Sequence, residues 1–129
     1  MAERAQYATT PRYEIAVCSV ANTAYDGSGT IVPLFTAGPN GSRIDAVGFA
    51  AQGSTTDGRL SVFFRKSSSD TWRWIFSFGI NALTVSATQP PEGGGATNLG
   101  WLLTAGAQIG IAPTKGEEFV VHITSAGDF

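Results

Sequence analysis

The stretch from Thr71 to Phe78 reads TWRWIFSF and alternates bulky apolar residues with smaller, polar or aliphatic ones. Successive side chains of a β-strand point to opposite faces of a sheet, so a period of two sustained over eight residues predicts a strand. The alternation predicts one face formed by Trp72, Trp74, Phe76 and Phe78. We expect that face to contribute more apolar side-chain surface to the core than any other strand.

The segment before this stretch predicts the other half of a hairpin. Leu60, Val62 and Phe64 alternate with polar residues, and the loop at 67–70 reads SSSD. Ser and Asp favour turns because their side chains hydrogen-bond to nearby backbone groups. We therefore predict an antiparallel pair, with Phe63 and Ile75 projecting away from the main apolar rows.

Further short apolar runs recur at the spacing typical of sandwiches and barrels. The remaining predicted strands are Tyr13–Val20, Thr30–Thr36, Arg43–Gln52, Ala82–Thr88, Leu99–Leu103, Ala107–Ile111 and Glu118–Thr124. In the first of these, Tyr13, Ile15 and Val17 share a face. The Leu99–Leu103 and Ala107–Ile111 segments predict a second hairpin, whereas the Pro- and Gly-rich segment 90–95 predicts an exposed loop.

Two positions in these runs predict irregular strands. Pro33 lacks a backbone donor, so its strand should lie at a sheet edge or carry a bulge. Ile44 and Val47 are both apolar but differ in parity, which predicts a bulge near Asp45 or Ala46.

Short strands without helical periodicity must bury one face each against a second sheet. We therefore predict an all-β fold, an antiparallel two-sheet β-sandwich with jelly-roll-like connections. An immunoglobulin-like topology is the alternative, which the lack of a cysteine pair weakens. The predicted domain spans residues 13–129, and residues 1–12 form an extended N-terminal arm.

Composition disfavours several classes of partner. The 129 residues fit one domain, and eight basic against ten acidic residues give a net charge of −2 without a cationic stripe for nucleic acid. No run approaches the ~20 apolar residues of a membrane helix. Because charged residues make up only 14% of the chain, we expect an uncharged surface suited to contacts with other proteins.

The residues available for catalysis are few. Cys18 and His122 are the only cysteine and histidine, and neither has the sequence context of an exposed nucleophile or a zinc site. The three tryptophans suggest a sugar-binding platform, but their parity with other apolar residues favours the core. We therefore expect no enzyme activity, no cofactor and no metal site.

Four residues are candidates for protein contacts. Phe63 and Ile75 would form an exposed apolar patch, unless another strand or a loop covers them. Tyr7 and Arg12 belong to the predicted arm, which could either fray or add a strand to a neighbouring subunit.

Four segments of the chain carry a resemblance to a known family. They are Asn40-Gly41-Ser42-Arg43-Ile44-Asp45, Thr55-Thr56-Asp57-Gly58-Arg59-Leu60, Leu103-Thr104-Ala105-Gly106 and Gly127-Asp128-Phe129. Over roughly the last two-thirds of its length, the chain resembles small structural proteins of tailed bacteriophages and related gene-transfer particles.

This resemblance implies a location on the virion, after synthesis in the host cytoplasm. It implies a capsid decoration, or cement, protein that binds at junctions between major capsid proteins and associates with itself as a dimer or trimer. The alternative is a tail, baseplate or head-spike component that binds a host glycan.

Overall fold

A computed structural model describes residues 9–129 of the chain, and these residues form β-strands without a helix. The strands are β1 (Thr10–Cys18), β2 (Val32–Thr36), β3 (Ser42–Ala51), β4 (Gly58–Arg65), β5 (Arg73–Ile80), β6 (Gly93–Ala96), β7 (Trp101–Leu103), β8 (Gln108–Pro113) and β9 (Phe119–Asp128). β1 therefore begins three residues before the predicted domain boundary at Tyr13.

Two antiparallel sheets pack against each other. Sheet A has the order β1-β9-β3-β6, with the short β7 beside the first residues of β3, and sheet B has the order β2-β8-β4-β5. The chain passes between the sheets at most connections, and this strand order is that of a jelly roll. The predicted jelly-roll-like β-sandwich is confirmed.

The core lies between the two sheets. Its fully buried members come from the inward faces of both sheets and include Phe35, Ile44, Leu60, Val62, Ile109, Ile111, Phe119, Val121 and Ile123. Alternation along β4 and β9 places every second residue in this layer, which is why these strands were recognisable from the sequence. Burial of these side chains is the main force that holds the sheets together.

The predicted single face of Trp72, Trp74, Phe76 and Phe78 is wrong, because a bulge interrupts β5. Val62 pairs with Phe76, but the next residue on β4, Phe63, pairs with Trp74, so Ile75 is the extra residue. One extra residue reverses the direction of every side chain beyond it. Phe76 and Phe78 pack on the core, whereas Trp72 lies on the outer face of sheet B.

A loop covers that outer face. Residues 19–31 connect β1 to β2 and bring Ile31 against a second buried cluster of Phe63, Trp72 and Ala112. Asn22 holds the loop together, because its Nδ2 donates to the carbonyl oxygens of Ser28 and Thr30 at 2.9 and 3.1 Å. The alternative that a loop covers Phe63 is therefore correct.

Two other segments differ from the prediction. Ala82–Thr88 is not a strand, and Leu83 makes only an isolated bridge to Thr55. The glycine run expected to be a loop instead forms β6 and pairs with β3. β6 lies so close to β3 that a Cβ at Gly95 would sit 2.8 Å from the Val47 carbonyl oxygen, so only glycine fits there.

The predicted hairpin of residues 99–111 is also wrong, because β7 pairs with β3 in sheet A while β8 belongs to sheet B. The expected irregularities occur where predicted. β2 is an edge strand with a register shift between Pro33 and Phe35, and β3 shifts register on both sides of Ala46.

Candidate contact surface

The polarity of β1 is reversed relative to an ordinary edge strand. Tyr13, Ile15 and Val17 point to solvent, with 75%, 63% and 49% of their surface exposed. Arg12 and Glu14 point inward, toward sheet B. Exposed apolar residues are common singly, but three at alternate positions of one strand form a continuous stripe, which is a candidate contact surface.

The inward charges of β1 are matched by partners. Arg12 Nη2 donates to Glu14 Oε1 at 2.7 Å, and Arg12 Nη1 donates to Asp128 Oδ1 at 3.1 Å and to the Thr36 carbonyl at 2.8 Å. The guanidinium also stacks over the Phe35 ring, 4.3 Å from its centroid. Burial lowers the pKa of Arg12, but the hydrogen bonds that its guanidinium donates to Glu14 and Asp128, with the attraction of the two carboxylates, outweigh that effect, so its pKa is raised.

The stripe continues across the outer face of sheet A. Toward one end of the strands, ten residues lie on the outer side of the sheet, and we call this set the outer face of sheet A: Tyr13, Ile15, Val17, Gly48, Ala50, Gly93, Gly95, Val120, His122 and Thr124. No Asp, Glu, Lys or Arg belongs to the set. Beyond this set, toward the other end of the strands, Arg43 and Asp45 form an exposed ion pair close to Tyr13.

His122 lies in the middle of this face, with its ring over Gly48. A Cβ at Gly48 would lie 2.9 Å from His122 Nε2, so the glycine provides the space for the imidazole. His122 Nδ1 is buried without a hydrogen-bond partner. The imidazole ring therefore occupies the space that the missing side chain of Gly48 leaves open.

Cys18 and His122 lie on opposite faces of sheet A. Cys18 pairs with Phe119 on the inward face, whereas His122 is on the outer face. Burial raises the pKa of the Cys18 thiol to about 12, which disfavours the reactive thiolate. The two residues do not form a nucleophile and base pair.

The four predicted contact residues have different positions. Tyr7 lies outside the described residues. Arg12 belongs to β1 and contacts Phe35 and Asp128 within the chain. Phe63 is fully buried beneath Trp72, so its side chain is not exposed as an apolar patch would require.

Of the three candidates that the structure describes, Ile75 alone has an exposed apolar side chain. It lines an open cleft of about 220 Å³ at the edge between the sheets, together with Phe64, Trp101, Leu102, Leu103 and Ile109. The bulge in β5 is what turns Ile75 toward this cleft.

The sequence pattern did place Tyr13, Ile15 and Val17 on one face, but it did not identify that face as exposed. The signal was present in the neighbouring residues, because Arg12 and Glu14 stand at the alternate positions. Alternation alone is symmetric, and the apolar set was expected to be inside.

Other kinds of site find little support in the described part of the chain. Within residues 9–129, no cluster of three or more His, Cys, Asp or Glu side chains is placed to hold a metal ion. In the same range no helix is long and apolar enough to cross a bilayer.

Comparison with family models, with curated proteins and with solved structures finds no significant match to this chain.

Proposed function

We propose that this protein is a structural component that acts by binding other proteins through the outer face of sheet A. The observation that carries the proposal is the reversed polarity of β1, which exposes Tyr13, Ile15 and Val17 while Arg12 and Glu14 point inward. Soluble monomers rarely expose contiguous apolar patches unless these make contacts.

We further propose that the particle it belongs to is a tailed-phage virion, in which it acts as a capsid decoration protein. The resemblance of residues 40–129 to small phage structural proteins supports this role. The jelly roll is compatible with it, since capsid domains use this architecture, although the same fold serves many functions.

The stabilising effect of a decoration protein follows from multivalency. A small surface binds weakly on its own, but a protein that touches several capsid subunits at once gains effective concentration. Because such a protein binds the assembled lattice and not the separate subunits, it stabilises only the closed shell. An uncharged surface also makes these contacts less sensitive to salt.

Particles produced with the gene deleted test this proposal. We expect particles that lack the protein to release their DNA at a lower temperature than wild-type particles. Addition of the purified protein should restore the wild-type release temperature. Cryo-electron microscopy of the restored particles should show density at junctions between capsid subunits. Equal heat resistance with and without the protein would rule out the cement role.

The same images test the alternative of a tail or spike component that binds a host glycan. Density on the tail, baseplate or a head spike would favour that alternative. The cleft beside Trp101 is a poor sugar site, because its six lining side chains are apolar and supply a single donor, the indole N–H.

A further inference from the structure

We propose that two copies of this chain associate face to face through the outer face of sheet A. The two-fold axis runs parallel to the strands and between β9 and β3, so that β1 of one copy lies over β6 of the other. This inference deepens the proposed function, because it names a second copy as the partner of the same surface.

The outer face of sheet A has one projecting half and one flat half. Tyr13, Ile15 and Val17 project from β1 at one edge. At the other edge, β6 contributes only Gly93 and Gly95 to this face. A surface of this shape leaves a step that a flat partner would not fill.

The strand registers show that the two halves match row by row. One row across the sheet contains Ile15, His122, Gly48 and Gly95, and the next contains Val17, Val120, Ala50 and Gly93. Rotation about the proposed axis keeps each row level and exchanges its ends. At the two edges of the face, each large residue of β1 in one copy then faces a glycine of β6 in the other.

The resulting facing pairs are Ile15 with Gly95, Val17 with Gly93 and Val120 with Ala50, while the two His122 rings, each lying over Gly48 of its own chain, meet beside the axis. Each pair occurs twice, because a two-fold interface uses the same patch on both copies. A two-fold axis perpendicular to the strands would place β1 over β1 instead, so the projecting side chains would collide while the glycines faced a gap. The shape therefore favours the parallel axis.

The size of the face predicts a weak dimer. Four strands at a spacing of ~4.8 Å and about five residues at ~3.3 Å each give a footprint of about 19 by 17 Å. A stable interface commonly buries about 800 Å² per partner, which exceeds this footprint. We expect the dimer to form at micromolar or higher concentrations and to be favoured where copies are held close together on a particle.

Two matched variants test the surface. Val17→Lys places a charge on the proposed interface, whereas Val20→Lys makes the same change at a side chain that is 55% exposed but lies two residues beyond β1. In sedimentation equilibrium we expect Val17→Lys to raise the dimer dissociation constant at least about tenfold, because lysine burial is costly. Val20→Lys should keep the wild-type value. Equal values for wild type and Val17→Lys, or a monomeric wild type up to millimolar concentration, would overturn the inference.

Cross-linking tests the axis. β1 and its copy lie about 14 Å apart laterally in the proposed dimer, so Val17→Cys chains alone should not be joined by a bismaleimide shorter than that. Val17→Cys chains mixed with Ala50→Cys chains should be joined, because Ala50 of one copy lies beside the position that faces Val17 of the other. Cross-linking of Val17→Cys chains alone would contradict this arrangement. Wild-type protein treated with the same reagent is the control for reaction at Cys18, which is buried.

Particle binding separates this inference from the proposed function. A protein that is monomeric in solution yet restores the heat resistance of deleted particles refutes the dimer alone. A dimer that assembles as described but leaves those particles heat-sensitive supports the dimer and refutes the cement role alone.

Discussion

Arg12 Nη1 lies 3.1 Å from Asp128 Oδ1, so an ion pair joins the first described strand to the last at one end of the sandwich. Asp128 Oδ1 also accepts a hydrogen bond from Ser42 Oγ, at 2.5 Å, and Ser42 is fully buried. β1, β3 and β9 therefore meet at one carboxylate.

We expect Asp128→Ala to lower the free energy of unfolding by about 2–3 kcal/mol, because it removes charge-assisted hydrogen bonds to Arg12 and Ser42. Asp45→Ala is the matched control, since Asp45 pairs with Arg43 at the surface. That control should cost less than about 1 kcal/mol. Urea denaturation measures both, and similar losses for the two variants would contradict this account.

The loop over sheet B depends on Gly27, which has a φ of +88° and packs against the Trp72 backbone. We expect Gly27→Ala to lower the free energy of unfolding by at least about 2 kcal/mol, because alanine is strained at positive φ and its Cβ meets the Trp72 carbonyl. Gly53→Ala is the control, because nothing lies within 4 Å of a Cβ there. In thermal denaturation, Gly53→Ala should unfold at a temperature close to that of the wild type. A Gly27→Ala variant that unfolds at the wild-type temperature would show that the loop does not constrain the fold.

Trp72 and Trp74 should differ in their contribution to stability, although they share parity in the sequence. Trp72 is 9% exposed over Phe63, whereas Trp74 is 42% exposed beside Tyr25. We expect Trp72→Ala to cost about 3–5 kcal/mol, as for other large core truncations, and Trp74→Ala clearly less. Chemical denaturation of both variants decides this, and a larger loss at Trp74 would refute the burial of Trp72 against Phe63.

The Cys18 thiol should be protected in the native protein. Because burial raises its pKa from 9.0 to about 12, the folded state holds the thiol proton while the unfolded state loses it between these values. The stability that Cys18 contributes is therefore fully present below pH 9.0 and falls as the pH rises toward 12.

Two measurements check this behaviour. A thiol-specific reagent at neutral pH should react with Cys18 rapidly only after denaturant is added. Stability curves of wild type and Cys18→Ala between pH 8 and 11 should converge as the pH rises. Rapid labelling of the native protein would show instead that Cys18 is accessible.

Strand positions could be predicted where local alternation and burial agree. Leu60 and Val62 of β4 and the alternate residues from Phe119 to Ile123 of β9 lie in the core. Pro33 and the parity change between Ile44 and Val47 indicated irregularities that the structure contains. The β6 strand could not be predicted, because a run of glycines carries no alternation. Its strand conformation depends on close approach to β3.

The sequence by itself determined an all-β fold, because short segments with a period of two bury their apolar rows only when the strands pair into sheets with one face inside. It also determined that Tyr13, Ile15 and Val17 share a face. Only the tertiary structure decided that this face is the exposed one and that Trp74 leaves the core row. Alternation distinguishes the two faces of a strand but does not say which face is inside. Pairing with β9 decides this for β1, and the extra residue at Ile75 decides it for β5. Both features depend on residues distant in the chain.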